Sequence, residues 1–376
     1  MNFDLSDEQK MLADQVRTLL AEHADYDRLR KLIDAGEEWD AGLWSELAAL
    51  GVLGANVPEA FGGVGLTELD LGVVSEALGR ANAAVPFFSS IVLAADAIRL
   101  AGTDAQKAAW LPGLASGETI GCFAYAEGVR GWRGAAVTAE YSRGRLTGVK
   151  TPVADAGIAG LAVVLCRVEG SLALAVCDLS GPGLTRVKLD STDQLRAHYR
   201  LEFKEAEAEL LGGAKGTAIV ETLFDRAAVQ AAFEAVGGAE ACLFMARDYA
   251  MERQMFGRPL ASYQAIKHRL ADIALATELA RSNAYFAGWA AGDAPDELPG
   301  AAAAARLSAC VAFEQAAREN LQVHGGIGYT FVGNCHFYYR RERTLALSLG
   351  GREYWADRVI AHLPGRQAAS QLASEA

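Results

Sequence analysis

Residues 253–272 read RQMFGRPLASYQAIKHRLAD, and this stretch lies between two helical patterns. The first pattern ends in Phe256 and Gly257, which are typical of a helix end, and the second opens after Pro259 with Ser262 as its expected N-cap. Arg253 near a helix C-terminus interacts favourably with the helix dipole in any fold. The stretch is therefore predicted to be a tight connection between two long helices.

The helical patterns on either side of this connection are unusually long. They cover residues 214–255, 263–290 and 301–324, with a loop predicted at 292–300. Gly237 and Gly238 weaken the first prediction because glycine is a poor helix former. Helices of about 25 to 40 residues span roughly 40 to 60 Å, which suits an antiparallel four-helix bundle.

The remainder of the chain divides into a helical part and a β-rich part. Helices are predicted at 44–50, 69–79, 91–101 and 104–113, after a first helix that Ser6 and Gln9 would open as a capping box. From about residue 119 the segments alternate, and 161–168 and 171–179 form a hairpin pattern, which favours a small antiparallel sheet. We predict an α+β protein with an N-terminal helical domain (1–118), a middle β-domain (119–213) and a C-terminal helical bundle (214–376).

Composition excludes several classes of function. The 376 residues carry 35 Lys and Arg against 47 Asp and Glu, a net charge of −12, so a general nucleic-acid binder is not expected. The six cysteines stand singly and show no zinc spacing, so no metal site is predicted and the thiols are expected to be reduced, as in the cytoplasm. No signal peptide or membrane-spanning segment is predicted.

The glycine cluster in residues 322–330, QVHGGIGYT, fails as a dinucleotide fingerprint. A helix precedes it instead of a strand, and no third glycine follows at the required spacing. A helix C-cap turn is one explanation of the cluster. Close approach of the backbone to a phosphate or a ring is the other.

Taken together, these segments resemble the acyl-CoA dehydrogenase family, flavoenzymes that desaturate acyl-CoA thioesters between Cα and Cβ. The resemblance rests on the two stretches above, on FDLSDEQ (3–9), on PEAFGGVG (58–65) and on YRLEFKEAEAELLGG (199–213), and it covers essentially the whole chain. It implies bound FAD, an acyl-CoA substrate from fatty acid or steroid side-chain degradation, an oligomer, and an electron-transfer flavoprotein as acceptor. It also implies a set of residues that contact the dinucleotide half of FAD: Arg253, Phe256, Tyr263, Gln264, Gln322, Val323, Gly325 and Gly326.

The catalytic base of the family is missing at both of its positions. Counted along the chain without gaps, the first position falls on Leu349 and the second on Ala227, and neither is an acid. The nearest carboxylates are Glu353 and Asp225, which are weak replacements. The catalytic residue is therefore unknown.

The segments that face the flavin ring in the family are also altered. A Thr-Glu-Pro-Gly-rich loop aligns with residues 126–131, of which only Glu127 is kept. A Trp-Ile-Thr segment aligns with Pro152, Val153 and Ala154, so its side-chain donors are lost. The chain is accordingly predicted to be the base-lacking partner subunit of a hetero-oligomeric dehydrogenase of the steroid side-chain type.

Three other interpretations stay open on sequence alone. One is a homo-oligomeric dehydrogenase with a displaced base, and a second is a catalytically silent or flavin-free scaffold on the same fold. The third is a flavin oxidase or monooxygenase relative. The cluster of Arg340, Arg341 and Arg343 could meet phosphates, although solvated helix charge is the expected state of these residues.

Overall fold

The computed structural model of the protein describes residues 5–128, 131–132 and 136–363, without the side chains of 213–215. By contacts, the described chain divides into two units. One unit combines Met1–Tyr26, Glu68–Ala83 and Asp225–Ala376, and the other combines Asp27–Thr67 and Ala84–Phe224. This grouping follows packing and does not test the domain boundaries predicted near 118 and 213, which stay predictions.

Helices dominate both ends of the chain, as the hydrophobic periodicity predicts. They are α1 (Asp7–His23), α2 (Tyr26–Ala35), α3 (Ala41–Ala49), α4 (Glu68–Arg80), α5 (Asp96–Ala101), α6 (Asp104–Ala115), α7 (Thr217–Glu252), α8 (Gln264–Asp293), α9 (Leu298–His324), α10 (Cys335–Leu347) and α11 (Arg352–Ala361). A π-helical segment, Phe88–Ala95, runs directly into α5.

The strands lie in the middle of the chain. They are β1 (Gly121–Ala124), β2 (Glu140–Ser142), β3 (Arg145–Ala154), β4 (Leu161–Val168), β5 (Ser171–Asp178), β6 (Leu184–Leu189), β7 (His198–Glu207) and β8 (Glu209–Lys215). A separate two-residue pair, β9 (Gln254–Met255) and β10 (Arg258–Pro259), forms the connection between α7 and α8.

The central sheet is mixed, which differs from the antiparallel sheet that we predicted. Its order is β6-β7-β3-β2-β4-β5-β8, and β1 pairs with β4. The hairpin of β4 and β5 is confirmed in full register, from Leu161 opposite Asp178 to Val168 opposite Ser171. The pairs β1–β4 and β2–β4 are parallel. Alternation marks a strand but does not tell which neighbour it will pair with, so the sequence did not reveal the parallel pairs.

The α1 cap confirms the predicted capping box. Ser6 Oγ accepts from the backbone N–H of Gln9 at 3.2 Å, and the Gln9 side chain accepts from the Ser6 N–H at 3.0 Å. Gln9 also donates to Asp70 of α4 at 2.8 Å, so the cap ties the start of α1 to its neighbour. These contacts satisfy helix N–H groups that would otherwise lack partners.

The long C-terminal helices confirm the predicted bundle. α8 packs along α9, and α10 and α11 also pack on α9. Among the described residues, α7 alone is long and apolar enough to cross a membrane, but 72% of its apolar window is buried inside the protein. Its apolar residues therefore serve the core of the fold.

Several local predictions were wrong. Ser262 ends a short 3-10 helix and does not cap α8, whose N-cap position is Tyr263. The loop predicted at 292–300 is shorter, because α8 runs to Asp293 and α9 begins at Leu298. Arg341 is only 2% exposed and contacts Glu234 at 3.4 Å, so it is a core residue and not a solvated helix charge.

All six cysteines are free thiols, as predicted, and five of them are buried. Burial raises the pKa of Cys166 to about 12. Because the thiolate is the reactive form, such thiols are chemically inert at neutral pH.

Candidate functional site

The connection between α7 and α8 is a tight hairpin with an aromatic residue at its tip. β9 and β10 pair with Met255 opposite Arg258, which leaves Phe256 and Gly257 as the two turn residues. Both have positive φ, 50° and 76°. Two-residue turns of this kind favour Asn-Gly, and a phenylalanine there costs conformational energy. Phe256 is also 92% exposed, so its side chain adds no buried apolar area that would stabilise the fold.

The base of this hairpin is held by specific contacts. The Tyr263 hydroxyl donates to the Met255 carbonyl at 2.8 Å, and the Arg258 guanidinium lies 3.9 Å from the centre of the Tyr263 ring. The Leu260 N–H donates to the Arg253 carbonyl at 2.7 Å. The Arg253 side chain is exposed and makes no hydrogen bond or ion pair within the part of the chain that the structure describes. Its guanidinium is therefore available to a ligand.

The glycine turn after α9 lies close to the same hairpin. Val323, 5% exposed, packs in a cluster with Ala246 and Ala250 of α7, and Leu260 and Ile266 pack against this cluster. The cluster thus brings together two stretches that are about 60 residues apart in sequence. Because the Val323 side chain is committed to this packing, only its backbone remains for a ligand.

The turn itself leaves open space beside its backbone. Gly325 is the C-cap of α9 with φ 61°, as the C-cap interpretation predicts. A Cβ built on Gly325 or Gly326 would meet nothing within 4 Å. Gln322 and Gln264 are exposed. The turn thus ends a helix and also leaves its backbone accessible.

A cleft of about 600 Å³ extends from Gln322, Gly328 and Tyr329. Three arginines, Arg269, Arg318 and Arg340, line it. Arg269 forms an ion pair with Glu319 at the same cleft, so the net charge of the lining is positive. A positive cleft of this size suits an anionic ligand. The sequence did not predict that Arg340 would line a cavity.

The β-rich unit holds Glu127 inside a network of donors. Its carboxylate accepts from Thr138 N–H at 2.8 Å, Ala139 N–H at 3.0 Å and Lys150 Nζ at 2.7 Å. Lys150 is completely buried and also donates to the Tyr125 carbonyl at 3.3 Å. Glu127 thus ties Thr138 and Ala139 to Lys150 of β3. The neighbouring Val129 and Arg130 lie outside the described residues.

This network predicts an acid-sensitive contribution to stability. Burial alone would raise the pKa of Glu127, but the hydrogen bonds from Lys150, Thr138 and Ala139 outweigh it and lower the pKa. A depressed pKa in the folded state stabilises the fold above the ordinary glutamate pKa, and this stabilisation is lost as the pH falls through the folded value. We expect Glu127→Gln to lower the urea midpoint at neutral pH and to flatten its decline between about pH 5 and pH 3.

The exposed Glu140 of β2 offers a matched control for that measurement. Glu140→Gln should leave the pH profile of the urea midpoint close to that of the unaltered protein. An unchanged acid decline in Glu127→Gln would contradict the role given to this network.

The segment aligned with the flavin-facing Trp-Ile-Thr offers no side-chain donor. Val153 is fully buried, while Pro152 is exposed and Ala154 is half-buried. Val153 pairs with Tyr199 and Ala154 with His198 of β7, so this backbone belongs to the sheet. The aromatic side chains nearby pack on one another: Trp132 stacks on Phe224 at 4.0 Å.

Neither base position carries a carboxylate in the structure. Leu349 and Ala227 are both fully buried. Asp225, 3% exposed, accepts from a single nitrogen of Arg358 in α11, Nη2, through both carboxylate oxygens, at 2.5 and 2.7 Å. Glu353 is exposed in the first turn of α11, where a carboxylate is favourable to the helix dipole. Residues 348–351 are not helical, so Glu353 does not share a helical face with Leu349.

Among the described residues, no group of three or more His, Cys, Asp or Glu could hold a metal ion. The residues present fit the dinucleotide half of an FAD better than its isoalloxazine half. Free Arg253, exposed Phe256 and the open backbone at Gly325 and Gly326 fit a diphosphate and an adenine. Residues 152–154 supply no side-chain donor for the isoalloxazine ring.

This combination of a long helical bundle, a middle sheet and a dinucleotide-type surface is that of a flavin-dependent dehydrogenase. Family models for the acyl-CoA dehydrogenase N-terminal domain and C-terminal domain match residues 6–118 and 214–363. The chain belongs to the acyl-CoA dehydrogenase family, whose members bind FAD and oxidise the CH–CH bond of acyl-CoA thioesters.

Three relatives illustrate the likeness. The acyl-CoA dehydrogenase IpdE2 of Mycobacterium tuberculosis is 31% identical over 336 residues, which cover 89% of this chain and 91% of that protein. The solved structure of a variant of the Tcur3481-Tcur3483 steroid ACAD has a TM-score of 0.87 and 30% identity, covering 98% of this chain and 99% of that one. The ChsE4-ChsE5 complex from Mycobacterium tuberculosis has a TM-score of 0.89 and 28% identity, covering 97% and 100%.

Proposed function

We propose that this chain is the partner subunit of a hetero-oligomeric acyl-CoA dehydrogenase. It would supply contacts to the dinucleotide half of FAD, while a second subunit supplies the catalytic base and the contacts to the flavin ring. The observation that carries the proposal is the burial of apolar Leu349 and Ala227 at the two base positions. A general base must reach the proton that it removes, and neither side chain can accept one.

The nearby carboxylates do not replace the missing base. Asp225 is buried and held by Arg358 through two contacts, so removing a proton from substrate would require breaking a buried ion pair. Glu353 is solvated in the first turn of α11. A carboxylate of the second subunit would therefore take the Cα proton, and FAD, when bound, would supply the hydride acceptor.

The contacts that this chain offers are consistent with that division. Arg253 and Gln322 would donate to the diphosphate, and Phe256 would cover the adenine. Tyr263 positions the hairpin, Gln264 is exposed at the start of α8, and the backbone of Val323, Gly325 and Gly326 lies next to Gln322. Two of the similar solved structures are described by paired names, Tcur3481-Tcur3483 and ChsE4-ChsE5, which supports a paired assembly here.

The proposal also covers the substrate, the electron acceptor and the cellular location of the reaction. The substrate would be an acyl-CoA from fatty acid or steroid side-chain degradation, and the acceptor an electron-transfer flavoprotein. The free thiols agree with a cytoplasmic location.

The test is purification of the chain alone and together with a second acyl-CoA dehydrogenase subunit encoded beside it. We expect little flavin absorbance in the lone chain, and FAD with acyl-CoA-dependent bleaching in the complex. The proposal would be refuted if the lone chain held one FAD and an acyl-CoA bleached the absorbance of that flavin. A complex that takes up no FAD at all would instead favour the flavin-free scaffold.

Variants of the complex locate the contribution of each residue. Arg253→Ala should lower FAD affinity about tenfold or more, because a charge-assisted contact to phosphate is lost. Arg247→Ala is the matched control, since Arg247 lies in α7 six residues before Arg253, is exposed and pairs with Asp248. Glu353→Gln should leave turnover unchanged; loss of turnover in that variant would make Glu353 a displaced base.

A further inference from the structure

A second cavity lies in the helical unit and shares no lining residue with the cleft at Gln322. It has a volume of about 640 Å³ and is lined by residues of α1, α2, α4, α7 and α10. Its floor is made of small and apolar side chains, among them Leu20, Ala24 and Ala77. This volume is within the range of small-molecule sites.

The aromatic wall of the cavity is fixed by hydrogen bonds. The hydroxyls of Tyr26 and Tyr338 are 3.1 Å apart, and the Tyr338 hydroxyl donates to the Arg80 carbonyl at 2.6 Å. The Tyr26 ring also stacks on Phe337 at 6.0 Å. Because both hydroxyls are engaged, this wall offers an apolar ring surface in a fixed position.

The opposite wall carries more positive charge than its carboxylate neutralises. Arg80 pairs with Glu240 and lies 5.1 Å from the centre of the Phe244 ring. Arg281, which does not line the cavity, reaches the other oxygen of Glu240 at 3.0 Å and is also paired with Glu76 and Glu278, so it adds no unneutralised charge. Arg17, which also lines the cavity, makes no hydrogen bond or ion pair with any residue that the structure describes.

The charge of Arg17 acts on the neighbouring Arg80. Burial, followed by the charge of Arg17, lowers the pKa of Arg80. An anion placed between Arg17 and Arg80 would relieve this repulsion. The rest of the cavity offers apolar and aromatic surface to the remainder of such a ligand.

We propose that this cavity binds a small carboxylic acid with an apolar body, its carboxylate between Arg17 and Arg80 and its apolar part on the alanine floor beside Tyr26 and Phe244. The proposed site shares no lining residue with the cleft at Gln322. It requires no covalent step.

The experiment titrates the purified chain with 3-phenylpropanoate and with its neutral amide by calorimetry. We expect the acid to bind more tightly than the amide. Arg17→Gln should weaken the acid about threefold and leave the amide unchanged, as for one partly solvated ion pair. Ala21→Phe, at an exposed position of α1 that lines the cavity, should weaken both ligands about tenfold or more by filling it.

Two controls on α1 separate this site from general effects. Lys10→Gln removes a charge and Gln15→Phe adds a ring at positions that do not line the cavity. Both variants should bind acid and amide as the unaltered chain does. Equal affinity for acid and amide, no saturable binding at millimolar ligand, or an unchanged affinity in Ala21→Phe would each overturn the proposal.

Discussion

Gly237→Ala is expected to lower the free energy of unfolding by about 3 kcal/mol or more, although alanine is the better helix former. A Cβ at this position would lie 1.9 Å from the Glu76 carbonyl oxygen and 2.8 Å from the Arg80 backbone nitrogen. Both atoms belong to the backbone at α4, so no side chain can move aside. The two helices would have to separate, and the packing between them would be lost.

Two other glycines of the chain provide a reciprocal variant and a control for this measurement. Gly79 on α4 faces the Glu234 carbonyl, 2.0 Å from its would-be Cβ, so Gly79→Ala should be comparably destabilising. Gly292 near the end of α8 is exposed and would meet nothing within 4 Å. Gly292→Ala should be neutral or stabilising by up to about 1 kcal/mol. If urea unfolding followed by circular dichroism gives the same midpoint for Gly237→Ala and Gly292→Ala, the close crossing of α4 and α7 is wrong.

Arg358→Met is expected to cost about 3 to 5 kcal/mol, the second large effect. The variant would remove the Arg358 guanidinium from the Asp225 carboxylate, whose side chain is 4% exposed. A buried carboxylate that loses its cation is expensive because its lost hydration is offset less well. Thermal unfolding of the variant, with FAD content of the complex as a second readout, measures the cost.

The double variant Asp225→Leu/Arg358→Met separates pairing from packing. Replacing both charges by apolar groups removes the unpaired ion, so the double variant should be more stable than Arg358→Met alone. Equal stability of the two variants would mean that lost packing dominates. If Asp225→Asn abolished turnover of the complex without lowering its stability, Asp225 would be acting as a base.

Much of the secondary structure was predictable because it depends on local chemistry. The Ser6–Gln9 box and the hairpin of β4 and β5 follow from neighbouring residues, whereas the ends of the long helices were predicted only to within about three residues. The two glycines of α7 weakened the prediction of one continuous helix. The structure explains Gly237 by the approach of α4, a contact between residues about 160 positions apart.

Some features of the candidate site can likewise be predicted from the sequence, and others cannot. The sequence alone shows the order of Arg253, Phe256 and Gln322 along the chain, and it shows that neither 349 nor 227 is an acid. The exposure of Phe256, the cluster that joins the hairpin to the glycine turn, and the pairing of Asp225 with Arg358 are not. The sequence offered no signal for the cavity at Arg17 and Arg80, because its lining comes from five helices.

By itself, the sequence determined the family, the succession of helical, β-rich and helical segments, and the lack of an acid at 349 and 227, the two positions predicted for the base. The tertiary structure decided which charges are buried and with whom: Arg341 with Glu234, Lys150 with Glu127, Asp225 with Arg358. The physical reason is that a helix cap or a turn is stabilised by residues a few positions away. The state of a charge depends instead on the hydration that it loses and on partners brought to it by distant parts of the chain.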